Sequence, residues 1–407
     1  MQMTDFTVAA RLRAIPAGVW ALGFVSMLMD ISSEMIHALL PIYMVSVLGA
    51  STLAVGLIEG IAEATAAITK IFSGALSDWL GRRKELAALG YGLAAFTKPI
   101  FPLAPNLSWL VGARFVDRIG KGIRGAPRDA LVADLSPPEI RGASFGLRQS
   151  LDTIGAFAGP LIAILLMLAT SNNFTAVFWI AVIPAFLSFF LIAFRVQEPE
   201  RPSRLRHIER PLGQKELSRL GQRYWLIATI AGLFTLARFS EAFLILRAQS
   251  VGLPIALVPA VMVLMNVVYA LSAYPAGILS DRVDRYTVLI AGLVLLIAAD
   301  ALLALAEGIA GVAAGVVLWG LHMGFTQGLL AALVADTAPA ELRGTAYGMF
   351  NLVTGIALLA ASVMAGGLWD IAGPAGTFSA GAVLAFLSVV ALLWVRKSHH
   401  FGIRGAV

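Results

Sequence analysis

The chain has 407 residues, 59% of them hydrophobic and only 13% charged, with a mean hydropathy of +0.84. A soluble domain carries about 25% charged residues, so this is the composition of a chain immersed in lipid, and its formal net charge of +6 reads as a topology signal rather than a nucleic-acid footprint. There is no cysteine, which excludes a disulfide framework, thiolate metal sites and cysteine nucleophiles.

Residues 1–15 include Asp5, Arg11 and Arg13, and the apolar run after them is too long for the core of a cleavable signal peptide, so the first segment is expected to stay in the protein. At roughly 20 apolar residues per crossing, twelve segments are expected: 17–47, 52–77, 85–103, 107–134, 142–169, 173–195, 223–249, 254–279, 286–306, 309–336, 342–368 and 374–396. The fourth and tenth are expected to run beyond the membrane. Turns near 48–52, 104–107 and 170–173 carry no charge, whereas the alternate connections hold Arg82-Arg83-Lys84, then Arg124 to Arg141, then the stretch 195–223. Arg282 and Arg285, Arg343 and Arg396-Lys397 continue the series. Positive residues stay inside, which predicts a multi-pass protein of the cell inner (plasma) membrane with both termini cytoplasmic. The expected domains are a six-helix bundle over 1–195, a cytoplasmic linker over 196–222, a second six-helix bundle over 223–397 and a tail over 398–407. The linker, punctuated by Pro202 and Pro211, reads as a solvated connection with a short amphipathic helix near 213–221.

Gly120-Lys121-Gly122-Ile123-Arg124-Gly125 spells G-x-G-x-x-G, a dinucleotide fingerprint only when it follows a strand. It falls inside the fourth apolar segment, so the nucleotide reading fails. An internal repeat points elsewhere: residues 130–146 (ALVADLSPPEIRGASFG) and 332–348 (ALVADTAPAELRGTAYG) agree at ten of seventeen positions at an offset of 202. GALSDWLGRR from Gly74 and GILSDRVDRY from Gly277 recur at an offset of 203. Two tandem halves with the same punctuation are the mark of a transporter built from parallel repeats.

These residues resemble the major facilitator superfamily over essentially the whole chain. Its loop signature G-x-L-A-D-R-x-G-R-R/K is matched by Gly74, Leu76, Asp78, Gly81, Arg82 and Arg83, with Trp79 in place of the usual basic residue; the second copy keeps Gly277, Leu279, Asp281 and Arg282 but has Asp284 where Gly is usual. The resemblance implies a conformational latch of cytoplasmic ion pairs at Asp78 and Arg82. A tight turn with positive-inside residues is the alternative. The family's fourth-helix pattern fits through Arg118, Gly122, Gly125 and Ala126, and implies a proton-coupling role for Arg118. The drug/proton antiporter branch carries G-x8-G-x3-G-P-x2-G-G in its fifth helix; Gly146, Gly155, Gly159 and Pro160 match, while Ala163 and Ile164 replace the last two glycines. The resemblance thus implies an all-α integral membrane protein of twelve helices in two six-helix halves. The alternative for the fifth-helix glycines is ordinary close helix packing.

Ionisable groups at membrane depth are functional candidates by default. The third, sixth and twelfth segments are read as free of charge through their middles, and the ninth as holding only Asp300. The first places Asp30, Glu34 and His37 on one helical face, and the second does the same with Glu59, Glu63 and Lys70. Asp30 and Glu63 are matched in depth, a pattern suited to carrying a proton or cation. Arg114, Asp117 and Arg118 lie in the fourth segment, Arg148 and Asp152 at i, i+4 in the fifth, Arg238 and Glu241 at i, i+3 in the seventh, and His322 and Gln327 in the tenth. The pairs could equally be salt bridges that only hold the bundle together. The sequence therefore predicts a secondary transporter, not an enzyme, working without cofactor or resident metal as a monomer. Its expected task is proton-coupled export of small organic molecules, with Asp30, Glu34, Glu63 and Arg118 as coupling residues. Proton-driven uptake, or export of a metal ion or chelate with His37 and His322 assisting, are the alternatives.

Overall fold

A computed structural model describes residues 15–80, 82–137, 141–198, 214–337 and 343–402. The described residues form helices and no strand. In chain order these are α1 (Ala17–His37), α2 (Leu40–Ser46), α3 (Thr52–Leu80), α4 (Arg83–Thr97), α5 (Ile100–Leu103), α6 (Leu107–Leu135), α7 (Arg141–Ala169) and α8 (Phe174–Arg195). There follow α9 (Gln214–Arg219), α10 (Gly221–Ala237), α11 (Ala242–Ser250), a 3-10 turn (Ile255–Leu257), α12 (Ala260–Arg282), α13 (Arg285–Leu305), α14 (Ile309–Thr337) and α15 (Arg343–Gly402). Ten helical stretches are long and apolar enough to cross a membrane. Two further features bear on the count of crossings: α6 carries seven Lys, Arg and Asp residues between Arg114 and Asp129, and α15 is broken at Gly373, whose φ of 67° is open to glycine and strained for other residues.

Local chemistry sets the boundaries. The side chains of Asn106 and Asn173 accept the amides of Trp109 at 3.3 Å and Ala176 at 3.1 Å, ordinary N-caps for α6 and α8. The N-terminus of α4 is held from a distance: the Glu198 carboxylate accepts the amides of Arg83 at 3.0 Å and Lys84 at 2.6 Å. Three segments expected to be continuous are interrupted. The first breaks between His37 and Leu40, ahead of Pro41 in the first turn of α2. The third breaks at Lys98-Pro99. The seventh breaks between Ala237 and Ala242, where the Ser240 hydroxyl accepts the Ala242 amide at 3.3 Å and gives the backbone an alternative to the helical bond. Arg238 and Glu241 therefore lie inside a break, and the i, i+3 face expected for them does not exist.

The helices pack into two compact units. Among the described residues, one takes 15–37 and 68–198; the other takes 38–67 and 214–402. In the first unit α1 lies against α7 and α8, and α4 against α6. Its core repeats Val19, Leu22, Val25 and Met29 along one face of α1 against Tyr91, Ala94 and Ala95 of α4 and Ala185 and Ile192 of α8, the spacing of a helical stripe. The Ser188 hydroxyl donates to Val25 O at 2.6 Å. In the second unit α10 packs on α15, and α14 on α12 and α13. Its core is aromatic: the Phe239 ring meets Phe243, Trp319 and Phe378 at centroid distances of 5.4–5.6 Å. The first half of α3 is seamed to α15 by glycines. A Cβ at Gly56 would lie 2.1 Å from Ser362 O, and one at Gly366 2.5 Å from Thr52 O. At the end of that seam the Asp370 carboxylate accepts the Thr52 and Leu53 amides, each at 3.1 Å, and the Thr52 hydroxyl.

Candidate functional site

The polar interior of the first unit gathers most of the charged residues expected from sequence. Asp30, Glu34 and His37 do share one face of α1, with Glu34 Oε2 3.6 Å from His37 Nδ1. Asp30 meets Arg124 of α6 at 4.0 Å, and its other electrostatic neighbours are Asp152, Arg128 and Lys121. The electrostatic neighbours of Glu34 on α6 are Lys121 and Arg118. The two carboxylates are seated by glycines of α7: a Cβ at Gly155 would lie 2.9 Å from Asp30 Cβ and 2.7 Å from Met27 O, and one at Gly159 2.7 Å from Glu34 Cβ and 2.8 Å from Ile31 O. Any larger residue at either position would push α1 away and take the carboxylates with it. Pro160 is buried beside them in α7.

Below Asp30, α6 and α7 build a quartet. Arg148 Nη1 donates to Asp152 Oδ2 at 2.7 Å and lies 3.4 Å from Asp129 Oδ1. Arg128 binds Asp129 at 3.0 Å, approaches Asp152 at 3.8 Å and donates to the Ser26 hydroxyl at 3.0 Å. Arg124, the partner of Asp30, is stacked over the Tyr91 ring at 4.9 Å. Arg114, Asp117 and Arg118 are all 2% exposed.

The third segment is not free of charge. Lys98, at the end of α4 and 1% exposed, donates to Asp117 Oδ1 at 2.9 Å and to the Ser33 hydroxyl at 3.1 Å; the Arg118 Nε is 3.4 Å from Asp117 Oδ2. A single lysine fifteen residues into an otherwise apolar run was itself the signal, since a cation costs too much at that depth to stand without a partner. Arg124, Arg128 and Asp129 were likewise legible as charges, but not as partners of Asp30 and Asp152.

The other expected residues belong to the second unit. Glu59 is fully buried and Glu63 half-buried on the part of α3 that belongs to the second unit. His322, fully buried, has its Nδ1 2.8 Å from Gly292 O and stacks on Phe234 at 5.3 Å; Gln327 is half-buried a turn further on. Arg238 and Glu241 are both half-buried near Tyr269. Asp300 is fully buried, with its carboxyl group against Gly381, whose Cβ position lies 2.6 Å from Asp300 Oδ2. Among the described residues no three His, Cys, Asp or Glu side chains come together as a metal site.

Of the loop signature, Gly74 packs near Ala126, 3.3 Å from its Cβ position. Arg83 binds Asp134 at 2.7 Å and Ala130 O at 3.2 Å. Arg82 meets Glu85 at 3.2 Å with both side chains about two-thirds exposed, a pairing worth little. Gly81 and the side chains of Asp78, Asp281 and Arg282 lie outside the described residues, as do the surroundings of Gly146.

The family model for the Major Facilitator Superfamily matches residues 22–265 and 225–405. The chain belongs to the major facilitator superfamily. It is 35% identical over 395 residues to an uncharacterized MFS-type transporter of Methanocaldococcus jannaschii, covering 94% of this chain and 96% of that one. It is 28% identical over 358 residues to an uncharacterized protein of Mycobacterium tuberculosis, covering 87% of each. Among solved structures it resembles a POT family transporter in complex with a thioalcohol-conjugated peptide (TM-score 0.77, 16% identity, 94% and 96% of the two chains). It also resembles the human organic anion transporter MFSD10 (TM-score 0.67, 18% identity, 93% and 100%). At these identities the two structures show the fold. As a superfamily member the chain is a multi-pass membrane transporter, not an enzyme, and its substrates are small molecules.

Proposed function

We propose that this transporter couples the export of small organic, drug-like molecules to proton entry by alternating access. The observation that carries the reading is the seat of Asp30 and Glu34. The two carboxylates rest on Gly155 and Gly159, two positions of the motif through which the sequence resembles the drug/proton antiporters; Asp30 pairs with Arg124, and Lys121 and Arg118 are electrostatic neighbours. A carboxylate with cations on one side and another carboxylate nearby changes its interactions sharply when it takes or loses a proton. That difference between the two states, not tight binding, is what can shift a conformational equilibrium. Arg118 is the coupling partner in this reading, and Glu63 on α3 is a second carrier. The chain crosses the inner membrane twelve times, counting α6 and dividing α15 at Gly373, with both termini and the linker cytoplasmic, and works as a monomer with a latch at Asp78, Arg82, Asp281 and Arg282.

One observation favours a second reading, proton-driven uptake of an anionic solute. In this interior the described residues of the first unit set seven basic side chains, Lys98, Arg114, Arg118, Lys121, Arg124, Arg128 and Arg148, against five acidic ones, Asp30, Glu34, Asp117, Asp129 and Asp152. An anion would neutralise the surplus. The test uses purified protein in liposomes with a pH-sensitive dye inside, an imposed proton gradient of either direction, and a panel of lipophilic cations, neutral drugs and organic anions. Export predicts proton movement opposite to substrate movement; parallel movement, with organic anions alone effective, selects uptake. Asp30→Asn with Glu34→Gln abolishes coupled flux in either case, and full coupled flux in that variant removes the proton reading.

A further inference from the structure

We propose that Asp300 is a second proton-binding site, in the second unit, where it holds its proton in a dry pocket closed by Phe239 in the break between α10 and α11. The site adds to the proton-coupled reading above, but its occupancy does not depend on Asp30 or Glu34. Asp300 lies in the last turns of α13, in a stretch apolar enough to cross a membrane. The side chain is fully buried, and among the described residues neither carboxyl oxygen has a hydrogen-bond partner. Its neighbours along the helix, Leu296, Ala299 and Leu303, are fully buried too. From α15, Gly381 brings bare backbone against the acid: a Cβ there would lie 2.6 Å from Asp300 Oδ2 and 3.1 Å from its Cγ. The same point is 3.0 Å from Phe239 Cε1, so the edge of a ring held in the break approaches the space that the carboxyl group fills. Around that ring stand Phe243, Trp319 and Phe378. Even the Trp319 indole N–H, buried in this aromatic cluster, does not donate to the acid.

The charged groups of the surrounding elements are engaged elsewhere. α13 has no other ionisable residue beyond Tyr286, and Glu307, past its end, is exposed. Arg247 of α11 is spent on Leu303 O, Ala306 O and the Ser250 hydroxyl. His322 of α14 has its Nδ1 at Gly292 O, and Asp370 of α15 holds the amides of Thr52 and Leu53. Arg238 and Glu241, in the break itself, lie near Tyr269, and neither bonds to Asp300. A bare carboxylate here would meet apolar side chains and no cation or donor, which burial makes too costly to persist. The neutral acid removes the charge. Proton and packing are therefore linked: ionising Asp300 demands water or a cation, and the packing around it admits neither until the ring of Phe239 moves. That ring stands between two helices rather than within one, and interrupted helices are where repeat-built transporters form their coupling-ion sites. Opening the break lets the proton pass from the carboxyl group to water, and closing it takes one up.

The test is infrared spectroscopy on the full chain in liposomes at neutral pH, which needs no substrate. The Asp300 part of the protonated-carboxyl band is the part missing in Asp300→Asn, a nearly isosteric and equally neutral replacement. It is expected in the wild-type protein and, unchanged, in Asp30→Asn with Glu34→Gln, so a failure of coupling at those two residues is read separately from a failure here. On transfer to D2O the Asp300 part shifts as its proton exchanges, and the rate reports how often the pocket opens. Phe239→Leu, which thins the wall and leaves the acid in place, is expected to speed that exchange about tenfold. Phe378→Leu, on the other side of the ring, serves should Phe239→Leu fail to fold. A wild-type protein with no Asp300 part in the band has an ionised carboxylate there, which overturns the proposal. Exchange as fast in the wild-type protein as in the wall variants overturns the closure by Phe239.

Discussion

Replacing Gly159 with alanine adds one methyl group where α7 touches α1, and the geometry sets what that methyl must do. Its position lies 2.8 Å from Ile31 O, 2.7 Å from Glu34 Cβ and 3.2 Å from Met35 N. Two of these are backbone atoms of a helix that is itself packed on α8, so none can swing aside. Restoring ordinary contact, about 3.4 Å, requires α1 to retreat by roughly 0.6 Å, and overpacking of this kind costs about 1–3 kcal/mol. Alanine also gains about 1 kcal/mol in helix preference over glycine, which would blur the result. Gly112→Ala removes that ambiguity: Gly112 is also helical, in α6, and its Cβ position has nothing within 4 Å. The preference cancels in the difference, leaving Gly159→Ala about 1–3 kcal/mol less stable than Gly112→Ala. Denaturant titration of the two variants in the same detergent measures it. Equal stability would show that α1 and α7 are not in backbone contact, and the seat assigned to Glu34 would fall.

Two further outcomes follow from long-range caps. Arg247 donates to Leu303 O at 2.8 Å, to Ala306 O and to the Ser250 hydroxyl at 3.0 Å. Arg247→Ala strands two buried carbonyls at about 1–3 kcal/mol each, and Arg247→Lys, lacking the planar fork, recovers at most part of the loss in the same titration. Asp370→Ala removes the acceptor of the Thr52 and Leu53 amides, leaving only the Ser51 hydroxyl on the Ala54 amide, and costs about 1–2 kcal/mol. Asp370→Asn keeps an acceptor and loses only the charge at a helix N-terminus, roughly 0.3–1 kcal/mol. Identical losses for the two would show that the carboxylate does not cap the helix.

The helical class, the repeat and the family were legible because they are written in composition and fixed offsets, which need no partner to be read. Asp30, Glu34 and His37 fell on one face because α1 runs unbroken to His37. Arg238 and Glu241 did not, because a serine hydroxyl competed with the helix between them. The glycines at 155 and 159 announced a close approach but not its object; that Asp30 and Glu34 lie against them depends on pairing helices more than a hundred residues apart. Lys98 is hidden for a related reason: a lone basic residue beside a proline has the look of a loop end, and its partners Ser33 and Asp117 are 65 and 19 positions away.

The clasp between Thr52 and Asp370 also has a consequence in time. The two residues are 318 positions apart, so at a synthesis rate of roughly 5–20 residues per second the first half of α3 is made some 15–60 seconds before its glycine-bearing partner on α15. During that interval Gly56, Gly60 and the open amides of Thr52 and Leu53 have no native companion. Variants along this seam should therefore show their damage first as low yield of assembled protein, through capture by quality control of an early helix left waiting, and only second as a less stable molecule once made.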